Sequence, residues 1–353
     1  MANSVTETIW VTDSEEIQKM MILWPNIVRD ITESIDLNIP DVTIWVKKLL
    51  QYNVPYGKKV RSLALIYAYK SLASDDQLTE DNLRLVRILA WCIELLQAAA
   101  LIIDDIQDQS LFRRGQPCWY QCDGIGLAAI SDGIMLEQAL FYIIQKHFNK
   151  KECYIDLLET FRDVNYKTII GQCADLYSSN LGKKLNVHLF TLDRYNSIAE
   201  YKAAYTFILP VIAAMHLVGI KDPEMFKQTK QILLDMGHLF QVQDDYLGCY
   251  RDSKVSGKDN TDIQEGKCTW LVVTALDRAT TEQRKILREC YGFSDSEKTR
   301  RVKQLFTDMN LPNIYLTYEE QEYNLLITRI QQICGLPRSL FLGLLEGIYH
   351  RKS

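Results

Sequence analysis

An all-α fold is what this sequence predicts, on three observations. Glycine and proline, the punctuation of short-stranded sandwiches and barrels, number only 16 and 8 in 353 residues. Apolar side chains recur at helical spacing along most of the chain, with no apolar-polar alternation long enough to make a useful strand. A composition of 47 % apolar and 24 % charged residues is that of a packed core, not of a disordered or fibrous chain.

The elements follow in order. Thr12-Asp13-Ser14-Glu15 has the capping-box pattern, and Ile17, Met20, Met21 and Trp24 continue it as one apolar stripe. Pro40-Asp41 starts a second helix with Val42, Trp45, Val46, Leu49 and Leu50 on one face. After the turn-like Asn53-Val54-Pro55 the pattern resumes from Lys59 to Leu72. Glu80 to Asp108 is unusually apolar, as a central helix covered on all sides would be, and it ends in acid. Further helices are predicted over Ile130 to His147, Cys153 to Asp175, Leu192 to Val218 (broken or kinked near Pro210), Pro223 to Tyr250, Lys267 to Asp277, and from Ser294 to the end. No internal repeat and no Ser/Gly-rich linker divides the chain, so one domain over residues 1–353 is expected, with residues 1–10 disordered.

Charge and cysteine usage exclude several roles. With 40 basic and 45 acidic side chains the net charge is -5, which argues against nucleic-acid binding. Nine dispersed cysteines read as reduced thiols and, with no secretory or Arg-rich leader at the start, point to a cytoplasmic protein. The two longest apolar stretches, Ile88 to Ile103 and Phe207 to Ile220, contain Glu94 and Gln97 in one and Pro210 in the other. No transmembrane segment is therefore expected.

The chemistry concentrates in two acidic clusters. In Asp104-Asp105-Ile106-Gln107-Asp108, helical geometry puts Asp104 and Asp108 on one face and Asp105 roughly 100° away. Acids at a helix carboxy terminus oppose the macrodipole and call for a compensating cation. Magnesium, which takes a few carboxylates plus substrate phosphates, would serve; a solvated helix end is the plainer alternative. Asp244-Asp245 ends a second apolar stretch, Ile232 to Val242. A di-iron bundle is disfavoured, because none of the five histidines has Glu three residues before it. Bases accompany both clusters: Lys58, Arg61, Arg113 and Arg114 near the first, Lys258 and Lys267 after the second. Guanidinium forks and ammonium groups are what diphosphate oxygens require, although surface solubility explains any one of them.

With LLQAAALIIDDIQDQSLFRRGQPCWY, TIIGQCADL and FQVQDDYLGCYRDSKVSGKDNTDIQEGKCTWL in that order, the chain resembles the isoprenyl diphosphate synthase family, in its farnesyl diphosphate synthase-like branch, from about Met20 to Lys352. The resemblance implies a class I isoprenoid synthase bundle around an apolar cavity, working as a homodimer. Magnesium ions, three of them, would hold a prenyl diphosphate whose loss of diphosphate leaves an allylic cation. By position, Asp104 and Asp108 would carry two ions and Asp244 the third. Asp175, Gln172, Arg113, Lys202 and Lys258 match positions supporting the metals or the allylic diphosphate, with Asp175 counted among the metal ligands. Lys58, Arg61, Gln97, Arg114 and Phe240 match the isopentenyl diphosphate site, and Gln241 and Lys267 join the substrate-binding set. Asp104, Asp108, Asp244, Lys202 and Arg113 are the expected catalytic group.

Four departures bear on the reaction. Gly248 stands where a third aspartate is usual, and Tyr56 replaces the first of two glycines before Lys58. Lys202 is followed by Ala203 where threonine is expected, and the basic tail is diluted to Glu346-Gly347-Ile348-Tyr349-His350-Arg351-Lys352. Three of the four concern the partner diphosphate while the first acidic cluster is intact. The expectation is accordingly a terpene synthase, a carbon-oxygen lyase that ionises farnesyl diphosphate and lets the cation cyclise or be quenched. The alternatives are a farnesyl or geranylgeranyl diphosphate synthase, a prenyltransferase, and a catalytically weak regulatory subunit of one. Ala99 and Ala100, where farnesyl-making relatives typically carry aromatic residues, open space for a C15 substrate or a longer product, unless they only permit close helix packing.

Overall fold

The computed structural model describes residues 9–35, 39–179, 186–250 and 261–349. Helices dominate: α1 Ser14–Glu33, α2 Pro40–Asn53, α3 Val60–Leu72, α4 Glu80–Gln107, α5 Ala129–Phe148, α6 Tyr154–Ser178, α7 Leu192–Leu217, α8 Pro223–Tyr250, α9 Asp262–Glu265, α10 Trp270–Arg278, α11 Thr281–Cys290, α12 Ser296–Asp308, α13 Leu311–Ile330 and α14 Arg338–Glu346. The chain clusters into two compact units. The first comprises Met1–Asp163, Phe207–Thr229 and Ile333–Gly347, and the second Val164–Thr206, Lys230–Gln332 and Ile348–Ser353.

In the first unit α4 is the covered central helix: Val86 to Leu96 is buried without a break. Three of its own charged side chains, Arg87, Glu94 and Asp105, are buried with it, and each has a partner of opposite charge. Arg87 donates from Nε to Glu16 Oε2 at 2.9 Å, joining α4 to α1, while Lys70 reaches the same carboxylate at 2.7 Å. Burial would raise the Glu16 pKa, but the Arg87 and Lys70 hydrogen bonds hold it down at about 2. Trp91 packs on Trp24 with the rings tilted by 36° and 4.5 Å between centroids, and donates to the Met20 carbonyl at 2.9 Å. Asp30 ties α1 to α5 through Lys146 at 2.8 Å and His147 at 2.7 Å.

The second unit is built on an aromatic core that includes Tyr195, Trp270, Tyr291, Phe306 and Tyr315. Its helices approach closely at two small residues. A Cβ on Gly171 of α6 would lie 2.8 Å from the Lys202 backbone nitrogen of α7, and one on Gly237 of α8 would lie 3.0 Å from the Ala203 Cβ.

Several boundaries differ from expectation for local reasons. The cap of α1 is Asp13, whose carboxylate accepts from Glu16 N at 3.0 Å, and Thr12 ends a short 3-10 turn, Ile9–Thr12. Within that turn Trp10 is buried, stacks on Tyr67 and donates to Gly343 O at 2.6 Å, so order begins before residue 11; residues 1–8 lie outside the described residues. α7 continues through Pro210 without a break. The predicted helix from Ser294 to the end is three helices, and α11, capped by the Thr280–Gln283 box, precedes them unforeseen. Phe112–Arg113 and Gln116–Pro117 form a two-residue antiparallel pair.

Three helices, Glu80–Gln107, Gly126–Phe148 and Leu192–Leu217, are long and apolar enough to cross a membrane, contrary to the expectation that none would be. In the first and third, 78 % of the apolar window is buried inside the protein, which accounts for its composition. In Gly126–Phe148 only 44 % is.

Candidate active site

The expected site residues fall into two groups, one in each unit. In the first unit, Asp104 and Asp108 share a face of the last turn of α4, with Asp108 as its C-cap. Asp105 turns inward and is buried. The hairpin at Phe112–Pro117 then returns a base to them. Its register pairs Phe112 with Pro117 and Arg113 with Gln116, leaving Arg114 (φ 55°) and Gly115 (φ 75°) as the two central residues with positive φ. A type I′ turn demands that conformation at both positions; glycine takes it freely, and Arg114 is held in it. Arg113 thereby donates through Nε to Asp105 Oδ1 at 2.9 Å and through Nη2 to Asp104 at 3.1 Å and also to Asp105. Burial would lower the Arg113 pKa, but the Asp105 and Asp104 carboxylates raise it. The cation that the helix end calls for is thus supplied in part by Arg113.

Arg114 turns the other way. Its guanidinium lies so close to the Gly57 backbone that a Cβ there would come within 2.7 Å of Nη2, and Nη1 reaches Asn53 O at 3.5 Å. The turn bearing Lys58, the start of α3 bearing Arg61, and Arg114 are therefore neighbours. Burial and the nearby charges of Arg113 and Arg61 lower the Arg114 pKa, opposed by Glu94 and Asp105. Mutually repelling bases held this close favour an anion among them. Gln97 is half-buried on α4, one turn beyond Glu94. The alanine pair divides: Ala99 is buried where α4 meets α5 at Gly133, while Ala100 is exposed.

In the second unit the close crossing at Gly171 sets Lys202 beside α6, where its Nζ donates to Asp175 Oδ2 at 2.6 Å. Gln172 precedes them on α6, half-buried. On α8, Asp244 is exposed and Phe240 buried. Gln241 donates to Asp245 Oδ1 at 3.0 Å, one turn on, instead of facing outward alone. Asp245 is buried and accepts from Trp270 N, the first residue of α10, at 2.8 Å, and burial pushes its pKa up to about 7. Lys267 sits past α9, 3.1 Å from Glu265 and 3.9 Å from Asp262. Lys258, His350, Arg351 and Lys352 lie outside the described residues. An open cleft of about 980 Å³ in this unit, lined by Asn196, Asp235, His238 and Tyr318 among others, includes none of the expected site residues.

For magnesium the donor set fits. Asp104 and Asp108 offer hard oxygens at i, i+4, and Asp244 an exposed carboxylate. Among the described residues no three His, Cys, Asp or Glu side chains gather into a ready cage. A cation that prefers one or two carboxylates plus substrate phosphates needs none.

Two of the departures have local explanations. Tyr56 does not require positive φ, its ring is 50 % exposed, and its carbonyl is used by Lys59. Ala203 is buried against Gly237, a packing position where a larger side chain would be forced against α8. Sequence reasoning missed Lys59 and Glu94, which are buried together at 3.4 Å beside these bases. A charged residue inside the apolar run of α4 was the available signal for Glu94, and nothing in the sequence marked Lys59.

Comparison with known proteins agrees with the geometry. The polyprenyl synthetase family profile matches residues 43–309. Farnesyl pyrophosphate synthase of Murgantia histrionica is 47 % identical over 341 residues, 96 % of this chain and 83 % of its own length. That of Homo sapiens is 42 % identical over 347 residues, 96 % of this chain and 82 % of its own. The solved structure of T. brucei farnesyl diphosphate synthase complexed with risedronate has a TM-score of 0.88 at 31 % identity, covering 96 % of this chain and 100 % of that one. These findings correct the expectation of a terpene synthase, and with it the assignment as a lyase. Relatives this similar over nearly the whole chain are named as synthases of the prenyltransferase alternative, and the departures at Tyr56 and Ala203 are absorbed locally.

Proposed function

From the premise that this chain belongs to the polyprenyl synthetase family, we propose that it is a prenyltransferase of isoprenoid biosynthesis, a farnesyl diphosphate synthase, joining an allylic diphosphate to isopentenyl diphosphate. The observation that carries this reading is the interlock of Arg114 with the Gly57 turn, which groups Lys58, Arg61 and Arg114 as a base-rich site for a second diphosphate. A reaction with one diphosphate substrate has no use for it.

Enzymes of this family depend on magnesium in general. In this reading Asp104 and Asp108 would hold two ions and Asp244 a third, and the bound metal would supply Lewis-acid neutralisation of the leaving diphosphate. Arg113, Lys202, Gln172 and, after α8, Lys258 hold that diphosphate as the allylic C–O bond breaks. The isopentenyl alkene, held through Lys58, Arg61, Gln97 and Arg114, supplies the electron pair for the new C–C bond and then loses a proton. Phe240 joins the isopentenyl diphosphate set in this reading, and Ala100, one turn before Asp104 on α4, leaves room for the prenyl chain. The apolar residues Leu127, in the turn before α5, and Ile130 and Ile134 on it, exposed at 72 %, 43 % and 53 %, suit a homodimer contact at the start of α5.

The test is to incubate the purified chain and magnesium with geranyl diphosphate and labelled isopentenyl diphosphate. Label is expected in a longer prenyl diphosphate. Volatile terpenes from farnesyl diphosphate, with no label incorporated, would overturn the proposal.

A further inference from the structure

Next to Lys58 stands a lysine that surface solubility does not explain. Lys59 is 4 % exposed, and its backbone is left-handed, at φ 57° and ψ 21°. A buried ammonium and a positive φ on a residue with a long side chain are each unfavourable, so their coincidence requires neighbours that enforce both. The neighbours are present. Nζ donates to Val54 O at 3.2 Å and to Tyr56 O at 2.9 Å, so the side chain curls back and closes its own turn. It lies 3.4 Å from Glu94 Oε2 and 5.3 Å from the centre of the Trp91 ring. Glu94 is satisfied on its other oxygen by Ser62 Oγ at 2.6 Å. Burial lowers the ammonium's pKa, Glu94 opposes that shift and Arg114 adds to it.

The consequence lies in what this arrangement carries. The turn locked by Lys59 ends in Lys58 and leads directly into α3, whose first turn closes through Leu63 N to Lys59 O at 2.8 Å and bears Arg61. Within the same turn Gly57, at φ 103°, lies under the Arg114 guanidinium. Glu94 is one helical turn from Gln97 on α4. The buried ion pair therefore joins the turn and α3, which present Lys58 and Arg61, to α4, which presents Gln97, while Gly57 in the same turn meets Arg114.

We propose that Lys59, through Glu94, is a positioning residue for the second-diphosphate site, holding the 54–59 turn in the one conformation that aims Lys58 and Arg61 together with Arg114. Lys59 touches no substrate itself; it acts through its neighbours. Preorganised donors bind an anion without reordering a loop, and a displacement of about 1 Å is enough to lose on the order of a hundredfold. The proposal rests on the prenyltransferase reading for the identity of the anion, isopentenyl diphosphate, but not for the capture of a diphosphate group.

Two measurements on Lys59→Met separate these. In steady state, KM for isopentenyl diphosphate should rise by about tenfold or more, with KM for the allylic diphosphate and kcat changed by less than about twofold. Titration with inorganic diphosphate in a chelator, where capture depends on the bases alone, should show binding by the wild type that Lys59→Met weakens by a similar factor. Because Lys59→Met strands the Glu94 charge, the double variant Lys59→Met/Glu94→Gln, which keeps the Ser62 contact, is measured beside it. It should fold and still show the raised KM. Unchanged isopentenyl KM and diphosphate affinity, equal losses for both substrates and kcat, or a double variant with wild-type KM would each overturn the positioning role. Diphosphate binding that depends on Lys59, in a chain that incorporates no isopentenyl label, would sustain it while sinking the prenyltransferase reading. A wild type that binds no diphosphate would sink both.

Discussion

The two acidic clusters share a plan and differ in how its inner member is balanced. In each, one aspartate points out and the next points in: Asp104 and Asp108 against Asp105 on α4, Asp244 against Asp245 on α8. Asp105 meets a full positive charge, Arg113, which it shares with Asp104. Asp245 meets neutral donors, the Trp270 N–H and the Gln241 amide, and burial pushes its pKa up to about 7. The lesson is that an aspartate-rich motif is not a row of equivalent ligands. The outward members carry the proposed metal role, and the inward ones build the local structure.

Substitution of outward members should have the largest effect. Asp104→Ala or Asp244→Ala should lower turnover by about a thousandfold or more while leaving the denaturation midpoint nearly unchanged. A large loss of stability with Asp104→Ala would break the division. Substitution inside the first cluster comes next: Asp105→Ala leaves Arg113 buried with only Asp104 and should destabilise by about 3 kcal/mol in denaturant titration. Alanines 99 and 100 extend the same contrast to apolar neighbours. Ala99→Phe, forced against α5, should cost about 1–3 kcal/mol, whereas Ala100→Phe should be tolerated and shift products to shorter chains in chromatographic analysis. Equal destabilisation by both would contradict the placement of Ala100.

The smallest effect concerns Asp245 and is read through pH. Its carboxyl pKa is raised on folding, so the folded chain holds a proton that the unfolded chain releases above about 3.9. Its contribution therefore falls as pH rises from about 3.9 towards about 7 and is flat above that. Asp245→Asn, measured in chelator, should remove this slope at a loss of about 1 kcal/mol near pH 4. A slope of the opposite sign would show that Asp245 is held charged.

Much of this was legible in the sequence because it is local. The start of α2 at Pro40, the buried run of α4 and the shared face of Asp104 and Asp108 all follow from spacing. What was not legible depends on partners distant in sequence. Arg113 is brought back to Asp104 and Asp105 by a hairpin too short to show alternation. Lys59 looks like a surface lysine until Glu94 is placed beside it. Ala203 looks like a lost functional residue until Gly237 is found against it. Tyr56 likewise suggested a damaged site for a second diphosphate, yet its backbone needs no glycine and its carbonyl serves Lys59. The terpene synthase reading failed there, because motif differences were counted without the contacts that absorb them.

The central claim is that this chain uses two diphosphates, one at its aspartates and one at its bases. The most direct measurement is the ratio of inorganic diphosphate released to isopentenyl label incorporated into prenyl product, in a single reaction with magnesium and geranyl diphosphate. One diphosphate per incorporated unit is the predicted result; steady release from the allylic substrate with no incorporation would contradict it.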